Sequence, residues 1–528
     1  MAEKFYEKFQ KNDRVVKAKN ERKAYNKERN EYFEKKREGR LEQGRISAKD
    51  EKYSEGQGRQ SFKNTELDAK ILKSEKLFLL ERLPRDSRNV LENFDNIVQG
   101  VRPLNSRQFQ QLPKDIRALS HLLTDERENR RSGYMNANEE LSAYVRYFTW
   151  WNLVRLTRVF ASLKDQAFNL KDDDYCLDIG SGPLTAVIAL WLSRPELREK
   201  KLTWYCMDLS SSTMALGEDL YLSVASKTPP KNPDSLPHWN IIRIKGSCGT
   251  EIRNKAALVV SANMFNEIQQ KAGANEGPEN LADSQIGELK KYTLQERSAF
   301  FIAEPGMPQA AHFVSLMRDR FISSGYSISS PCPHAENCPM SGKHARYGGS
   351  AKWCNFDFST EDAPARLLKL SSEAGLPKDR AVISFVYAKK SQEDQRFEKS
   401  GSPLAENAAG GYKKGPFDSE KLLVRIASDM IRLPGRREGY YACSSEGLLL
   451  VINSRGKKIE SGDLLELEKT PLPTVGRKGE AGGKKSERDG AAGGRAWNEK
   501  TGAGKNALGG DSFEERRDKK TGALEIKI

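Results

Sequence analysis

The segment Asp178-Ile-Gly180-Ser-Gly182-Pro183 sits between two apolar runs, Tyr175-Cys-Leu177 and Ala186-Val-Ile-Ala-Leu-Trp-Leu192. A strand that ends in an acid, turns through two glycines and opens a helix can bring a ligand against bare backbone. A side chain at Gly180 or Gly182 would block that approach at the strand's carboxyl edge. The next apolar run, Leu202-Thr-Trp-Tyr-Cys-Met207, ends in Asp208, and a carboxylate there is suited to bridging two ribose hydroxyls. Asp178, Gly180, Gly182 and Asp208 therefore read as a nucleoside clamp. Their spacing fits the loop that holds the amino-acid portion of S-adenosylmethionine better than the Gly-x-Gly-x-x-Gly of dinucleotide binders. A Rossmann-like domain whose glycines only make a tight turn is the alternative. Leu184 stands where many methyltransferases carry a third glycine, a departure that would narrow or weaken the pocket.

Further along, Leu258-Val-Val-Ser-Ala262 reads as the fourth strand, followed by the turn Asn263-Met-Phe-Asn266-Glu267. The Asn-Pro-Pro-aromatic motif of base-amino methyltransferases is absent from it. Asn266 and Glu267 either contact substrate or cofactor, or cap the helix that follows. No side chain declares itself a catalytic base. Phe300-Phe-Ile-Ala-Glu304-Pro-Gly306 reads as the fifth strand, with Glu304 either at its carboxyl end near the candidate site or, the reading preferred, a surface carboxylate opening a Pro-Gly turn.

A second constellation is built on sulfur. Pro331-Cys332-Pro-His334 is followed by Cys338-Pro339, His344 and Trp353-Cys354. Proline after two of these cysteines makes a rigid, non-regular loop that presents thiolates to a metal. Cys443, much later in the chain, is available as a fourth ligand. Three thiolates with His334 or His344 would suit zinc, whereas Cys443 as the fourth favours a [4Fe–4S] cluster. Three unrelated thiols in a surface loop are the plain alternative. Cys176, Cys206 and Cys248 are better explained as small hydrophobes at strands or strand ends.

The elements that must position these residues follow from the patterning. Residues 1–64 form a basic helical or disordered arm: residues 1–60 hold 18 Lys/Arg against 12 Asp/Glu. Apolar residues at three- and four-residue spacings predict a helical region over 65–165, with Leu77-Phe-Leu-Leu80 and Tyr144 to Leu156 the clearest stretches. Strands alternating with helices over 166–390 predict an α/β, Rossmann-like methyltransferase domain that includes the cysteine-rich segment 331–356. A linker over 391–416, a small β module over 417–470 and a disordered, basic, Gly-rich tail over 471–528 complete the chain.

The whole chain of 528 residues carries a formal net charge of +15, which favours a polyanionic partner, nucleic acid first. No run of about 18 apolar residues occurs, so no membrane span is expected. Seven scattered cysteines and an amino-terminus without a secretory apolar core point to a reducing cytoplasm.

Together these residues resemble the methyltransferase-like proteins of the small ribosomal subunit, found in mitochondria and bacteria. The resemblance is carried by Leu177-Asp-Ile-Gly-Ser-Gly-Pro183, Glu304-Pro-Gly306, Pro331-Cys-Pro-His334, Cys338-Pro339, Trp353-Cys354 and Arg437-Glu-Gly-Tyr-Tyr-Ala-Cys443. It covers roughly residues 70 to 466, and the cysteine series is its specific part. It implies a class I methyltransferase domain holding a four-cysteine iron–sulfur cluster, with Cys332, Cys338, Cys354 and Cys443 as ligands by position. It also implies binding to small-subunit ribosomal RNA during assembly. Leu184 replaces the family's usual glycine, and Asn355 follows Cys354 where the family commonly has histidine.

Two functions from different classes follow. An enzyme would move the activated methyl of S-adenosylmethionine to small-subunit ribosomal RNA, aligning donor and acceptor and excluding water. A non-catalytic iron–sulfur assembly factor would use the same fold as an RNA-binding scaffold, its basic tails making phosphate contacts. A zinc-stabilised methyltransferase acting on protein is a weaker third.

Overall fold

A computed structural model describes residues 67–124, 138–164, 168–272, 277–342, 351–390, 421–454, 456–469, 516–518 and 520–528. The arm expected over 1–64, the linker over 391–416 and most of the tail lie outside the described residues.

The described chain opens on a strand, β1 (Leu67–Glu75), and continues through helices Arg85–Glu92, Phe94–Val101 and Ser106–Thr124. Helix Asn138–Ala143 runs through a π turn, Tyr144–Thr149, into Trp150–Ser162. Next come β2 (Tyr175–Ile179), β3 (Thr203–Asp208), β4 (Asn240–Lys245), β5 (Leu258–Ala262), β6 (Ala299–Pro305), β7 (Ser327–Ser330), β8 (Phe356–Ser359) and β9 (Arg380–Lys389). The last five strands are β10 (Lys421–Leu433), β11 (Arg437–Ser444), β12 (Gly447–Asn453), β13 (Leu464–Lys469) and β14 (Leu524–Lys527). Among the described residues no helix is long and apolar enough to cross a membrane.

The central sheet has the order β4-β3-β2-β5-β6-β9-β7, with β8 also paired to β9. Strands β2 to β6 pair in parallel with one another, and β9 runs antiparallel to both β6 and β7. The strand order reverses at β2, which lies between β3 and β5. In open α/β sheets that reversal leaves a crevice at the carboxyl ends of the strands.

Alternation along each strand divides the core between the two faces. Cys176, Trp204, Cys206, Leu258 and Val260 pack with the helices Trp150–Ser162 and Thr185–Ser193. Leu177, Ile179, Tyr205, Met207 and Val259 pack on the other face against Pro278–Lys291 and Pro308–Ser323. Thr185–Ser193 is buried along its whole length, which explains why its sequence is apolar all round. The amino-terminal helices are tied in through buried Arg198, which donates to Asp86 Oδ2 at 2.6 Å, Ser87 Oγ at 2.7 Å and the Trp191 carbonyl at 2.8 Å.

The second body of the fold is a closed barrel with the order β1-β13-β10-β11-β12-β14. Here the structure departs from the sequence-based expectation at both ends of the chain. Leu67–Glu75, expected in a helical region, is a strand: Leu67, Ala69 and Ile71 face the barrel core at a period of two. Leu77-Phe-Leu-Leu80 forms no continuous helix, because Phe78 adopts φ 65°. The tail supplies β14, whose Leu524 and Ile526 fill the same core. Closing a barrel removes the unpaired edges that β1 and β12 would otherwise present.

Candidate functional site

Asp178, next to the last residue of β2, is only 1% exposed. Burial, with the charge of Asp208 behind it, pushes its carboxyl up to about 8. The chain then turns through Gly180 at φ 70°, Gly182 at φ 49° and Leu184 at φ 55°. The Gly180 and Ser181 N–H groups donate to the Met207 carbonyl at 2.9 and 3.1 Å, stitching the loop to β3. A Cβ on Gly180 would lie 2.9 Å from Met264 Cβ and Cγ, so only glycine fits beneath that side chain. Gly182 meets no such neighbour, and its requirement is the left-handed backbone itself.

Asp208 holds this turn. Its Oδ2 accepts from Gly182 N–H and its Oδ1 from Ser210 N–H, both at 2.9 Å. A carboxylate oxygen has more than one acceptor direction, so this bracing leaves capacity for ribose hydroxyls. Three buried polar atoms at the carboxyl ends of β2 and β5 have no partner among the described residues: Asp178 Oδ2, Ser181 Oγ and Ser261 Oγ. Buried polar atoms are rarely orphaned, and a polar ligand in the crevice would satisfy them. The residues present thus fit a nucleoside cofactor with a polar amino-acid end.

Leu184 does not narrow the crevice as its side chain suggested. That side chain is buried in the helix-side core, and an added Cβ on Gly217 would lie 2.8 Å from its Cδ1. The same Cβ would lie 2.4 Å from the Pro183 carbonyl carbon. Gly217 in helix Ser211–Lys227 therefore permits the close approach of helix and loop. Sequence reasoning passed over it, although a glycine inside a helical pattern is the signal for such packing.

The turn after β5 has Asn263 at φ 62°, its N–H donating to the Ala303 carbonyl at 2.8 Å. Phe265 is fully buried with its ring centroid 5.4 Å from that of Phe313, so it has no face left to stack on a base. Glu304 corrects the expectation of a surface carboxylate, because it is only 1% exposed. Its Oε1 accepts from Phe265 N–H at 2.8 Å and its Oε2 from Asn266 N–H at 3.2 Å. Burial pushes its carboxyl up to about 8, against the pull of these backbone hydrogen bonds. Glu304 thus caps helix Phe265–Ala272 from the neighbouring strand, while Asn266 and Glu267 lie in that helix's first turn.

Cys176 and Cys206 are buried in β2 and β3, and Cys248 follows β4. The other four thiols converge where the loop after β7 meets the barrel. The Cys354 thiol is pushed up by burial and then by Cys443, Cys338 and Cys332. That of Cys443 is raised by burial and then by Cys332 and Cys338, and that of Cys338 is pushed up to about 11. Arg318 Nε donates to Cys332 Sγ at 3.3 Å, and Arg318 Nη2 to the His334 and Glu336 carbonyls at 2.8 and 2.7 Å. Arg425, on β10, donates to the Pro331 carbonyl at 2.7 Å. Burial and Arg318 lower the pKa of His334 to about 4, and its Nδ1 is buried without a partner among the described residues. His344 lies outside the described residues.

Among the described residues no group of three or more His, Cys, Asp or Glu side chains is placed to hold a metal ion. A tetrahedral zinc would need its sulfurs about 3.8 Å apart, given a Zn–S bond of about 2.3 Å. A multi-iron cluster takes its thiolates on separate irons. Thiols are donors that either kind of group accepts.

The sheet order, the antiparallel strand one place from the edge, and the acid–glycine turn at the reversal define a class I S-adenosylmethionine-type methyltransferase fold. Residues 138–400, just under half of the chain, match the family described as "Mitochondrial small ribosomal subunit Rsm22". Among solved structures, the chain is similar to a SAM-dependent methyltransferase from Geobacter sulfurreducens in complex with S-adenosyl-L-homocysteine. That similarity has 13% identity and a TM-score of 0.25, covering 45% of this chain and 89% of the other. A putative class I methyltransferase from Listeria monocytogenes is similar at 12% identity and a TM-score of 0.25, covering 58% of this chain and 87% of that one. No curated protein matches the sequence.

Proposed function

We propose that this small-ribosomal-subunit methyltransferase-like protein binds S-adenosylmethionine at the Asp178–Leu184 turn and acts on small-subunit ribosomal RNA during ribosome assembly. The observation that carries the reading is the set of orphaned polar atoms, Asp178 Oδ2, Ser181 Oγ and Ser261 Oγ, at the carboxyl ends of β2 and β5. S-adenosylmethionine supplies an already activated methyl group. The chain's own part is to hold the donor with Asp178, Gly180, Gly182 and Asp208 and to exclude water from the crevice. The test is transfer of labelled methyl to small subunits from cells lacking the protein, with Asp178→Ala as control. Label in ribosomal RNA that vanishes with the variant supports an enzyme.

A specific observation favours a second reading, a non-catalytic assembly factor. The turn after β5 offers no aromatic face and no evident base, because Phe265 is spent in the core and Glu304 on two backbone N–H groups. Subunit binding without label would support it.

In either reading Cys332, Cys338, Cys354 and Cys443 would hold a [4Fe–4S] cluster, with zinc as the alternative. What supports this assignment is that Cys354 and Cys443 are buried with the other thiols near enough to raise their pKa values. Such a group would supply cohesion, since three of its ligands belong to the methyltransferase domain and one to the barrel. A reducing compartment suits thiols of this kind.

A further inference from the structure

We infer that the cleft between the barrel and the amino-terminal edge of the central sheet is a docking groove for the phosphodiester backbone of an RNA strand. This rests on the RNA reading above and gives it a location. The cleft has a volume of about 970 Å³, and its lining includes Lys76, Arg82, Lys164, Lys389, Arg425 and the single acid Glu75.

The register of the sheet fixes which edge this is. Lys389 pairs with Ala299 at the start of β6, whereas Ser384 pairs with Glu304 near its end. Lys164 lies on the segment that leads into the start of β2. The cleft is therefore at the edge opposite the glycine turn, and RNA lying in it is held away from the methyl donor.

Charge in the cleft is unbalanced. Glu75 is already paired with Lys73 at 2.6 Å, and Lys76 is paired with Asp463 at 2.7 Å. Among the described residues, Arg82, Lys164 and Lys389 form no ion pair with a carboxylate, whereas Arg425 is buried beside the Cys443 and Cys332 thiols. Two of them are held in place by carbonyls. Arg82 Nη1 donates to Ser162 O at 3.1 Å, and Arg425 Nη1 to Gly462 O at 2.6 Å. Cations confined between low-dielectric walls focus a positive field on whatever enters. A polyanion relieves their mutual repulsion and releases counterions as it binds. The cleft's one aromatic, Tyr387, is fully buried, so bases have nothing to stack on. Contacts there are with phosphates and carry no sequence preference.

The test uses the full chain and a fluorescein-labelled 20-nucleotide oligouridine, with anisotropy followed from 50 to 300 mM KCl. Replacing Lys164 and Lys389 together by Glu is expected to weaken binding by roughly tenfold or more. It should also flatten the slope of log K against log salt by about 1.4, from two single-strand contacts of about 0.7 each. A charge-matched pair on helices away from the cleft, Lys114→Glu with Lys290→Glu, should change affinity less than about twofold. Lys164→Gln with Lys389→Gln, which adds no negative charge, should flatten the slope equally and guards against misfolding of the Glu pair. An unchanged slope in the cleft variants, or an equal loss in the control pair, overturns the groove while leaving RNA binding elsewhere intact. Full displacement of the oligonucleotide by 10 mM inorganic phosphate would make this a small-anion site and overturn the strand proposal. A wild-type protein that binds no RNA removes both the groove and the RNA reading.

Discussion

Gly182 donates its backbone N–H to Asp208 Oδ2 at 2.9 Å, so the acid that ends β3 latches the turn that follows β2. The latch exists before any ligand enters. Asp208→Ala would leave the Gly182 and Ser210 N–H groups without their acceptor, at a cost of about 1–3 kcal/mol. We expect a matching fall in unfolding free energy and at least about tenfold weaker binding of S-adenosylhomocysteine by calorimetry. Urea unfolding indistinguishable from wild type would show that the latch carries no load.

Asp178 and Glu304 are both buried acids whose carboxyls are pushed up to about 8. The folded chain then binds these protons more tightly than the unfolded chain does. Their contribution to stability is full below the ordinary carboxylate range and is lost as pH rises through about 8. The urea midpoint of ligand-free protein should therefore fall between pH 6 and pH 9. Asp178→Asn should flatten that fall. A wild-type midpoint that rises over the interval would contradict the assignment.

Leu184 sets two effects against each other. Its left-handed backbone costs roughly 1–2 kcal/mol for a residue with a Cβ. Its side chain is wholly buried beside Gly217, and deleting a buried leucine side chain typically costs about 2–5 kcal/mol. Burial wins, so Leu184→Gly should destabilise the protein by about 1–3 kcal/mol net. A higher melting temperature in the variant would mean that strain dominates.

Cys443 stands on β11 of the barrel, and its three partners stand in or beside the insert after β7. If the four share a cluster, Cys443→Ser should lower iron and acid-labile sulfide in anaerobically purified protein. It should also speed proteolysis of the barrel, because the link between the two bodies is lost. Iron content and protease resistance both equal to wild type would remove Cys443 from the ligand set.

The parts of the site that lie close together in sequence were the legible ones. Asp178, Gly180 and Gly182 are neighbours, and Asp208 ends the very next strand, so strand–turn–helix patterning suffices to relate them. Glu304 was misread because a Pro-Gly turn follows it, while its partners Phe265 and Asn266 belong to another crossover. The barrel was half seen: β10 to β13 are contiguous, but β1 and β14 are single strands. The short Leu-Glu-Ile-Lys run is too brief to stand out beside lysines and glycines. Gly217 acts through a contact with Pro183 that no local pattern encodes. Cys443 is available from the sequence as a fourth ligand, but no spacing ties it to the other thiols 89 residues earlier, and its place in the set rests on the resemblance.

The pairing of β1 with β14 also sets an order of events during synthesis. β1 can pair with β13 as soon as Lys469 has been made, but Leu67 is also partnered by Ile526, so the barrel cannot close until β14 follows. The central sheet, by contrast, has all its strands once Lys389 has emerged. A nascent chain can thus complete its methyltransferase half early while the barrel is still open. Chaperone dependence should concentrate in that interval, when the edges of β1 and β12 are bare.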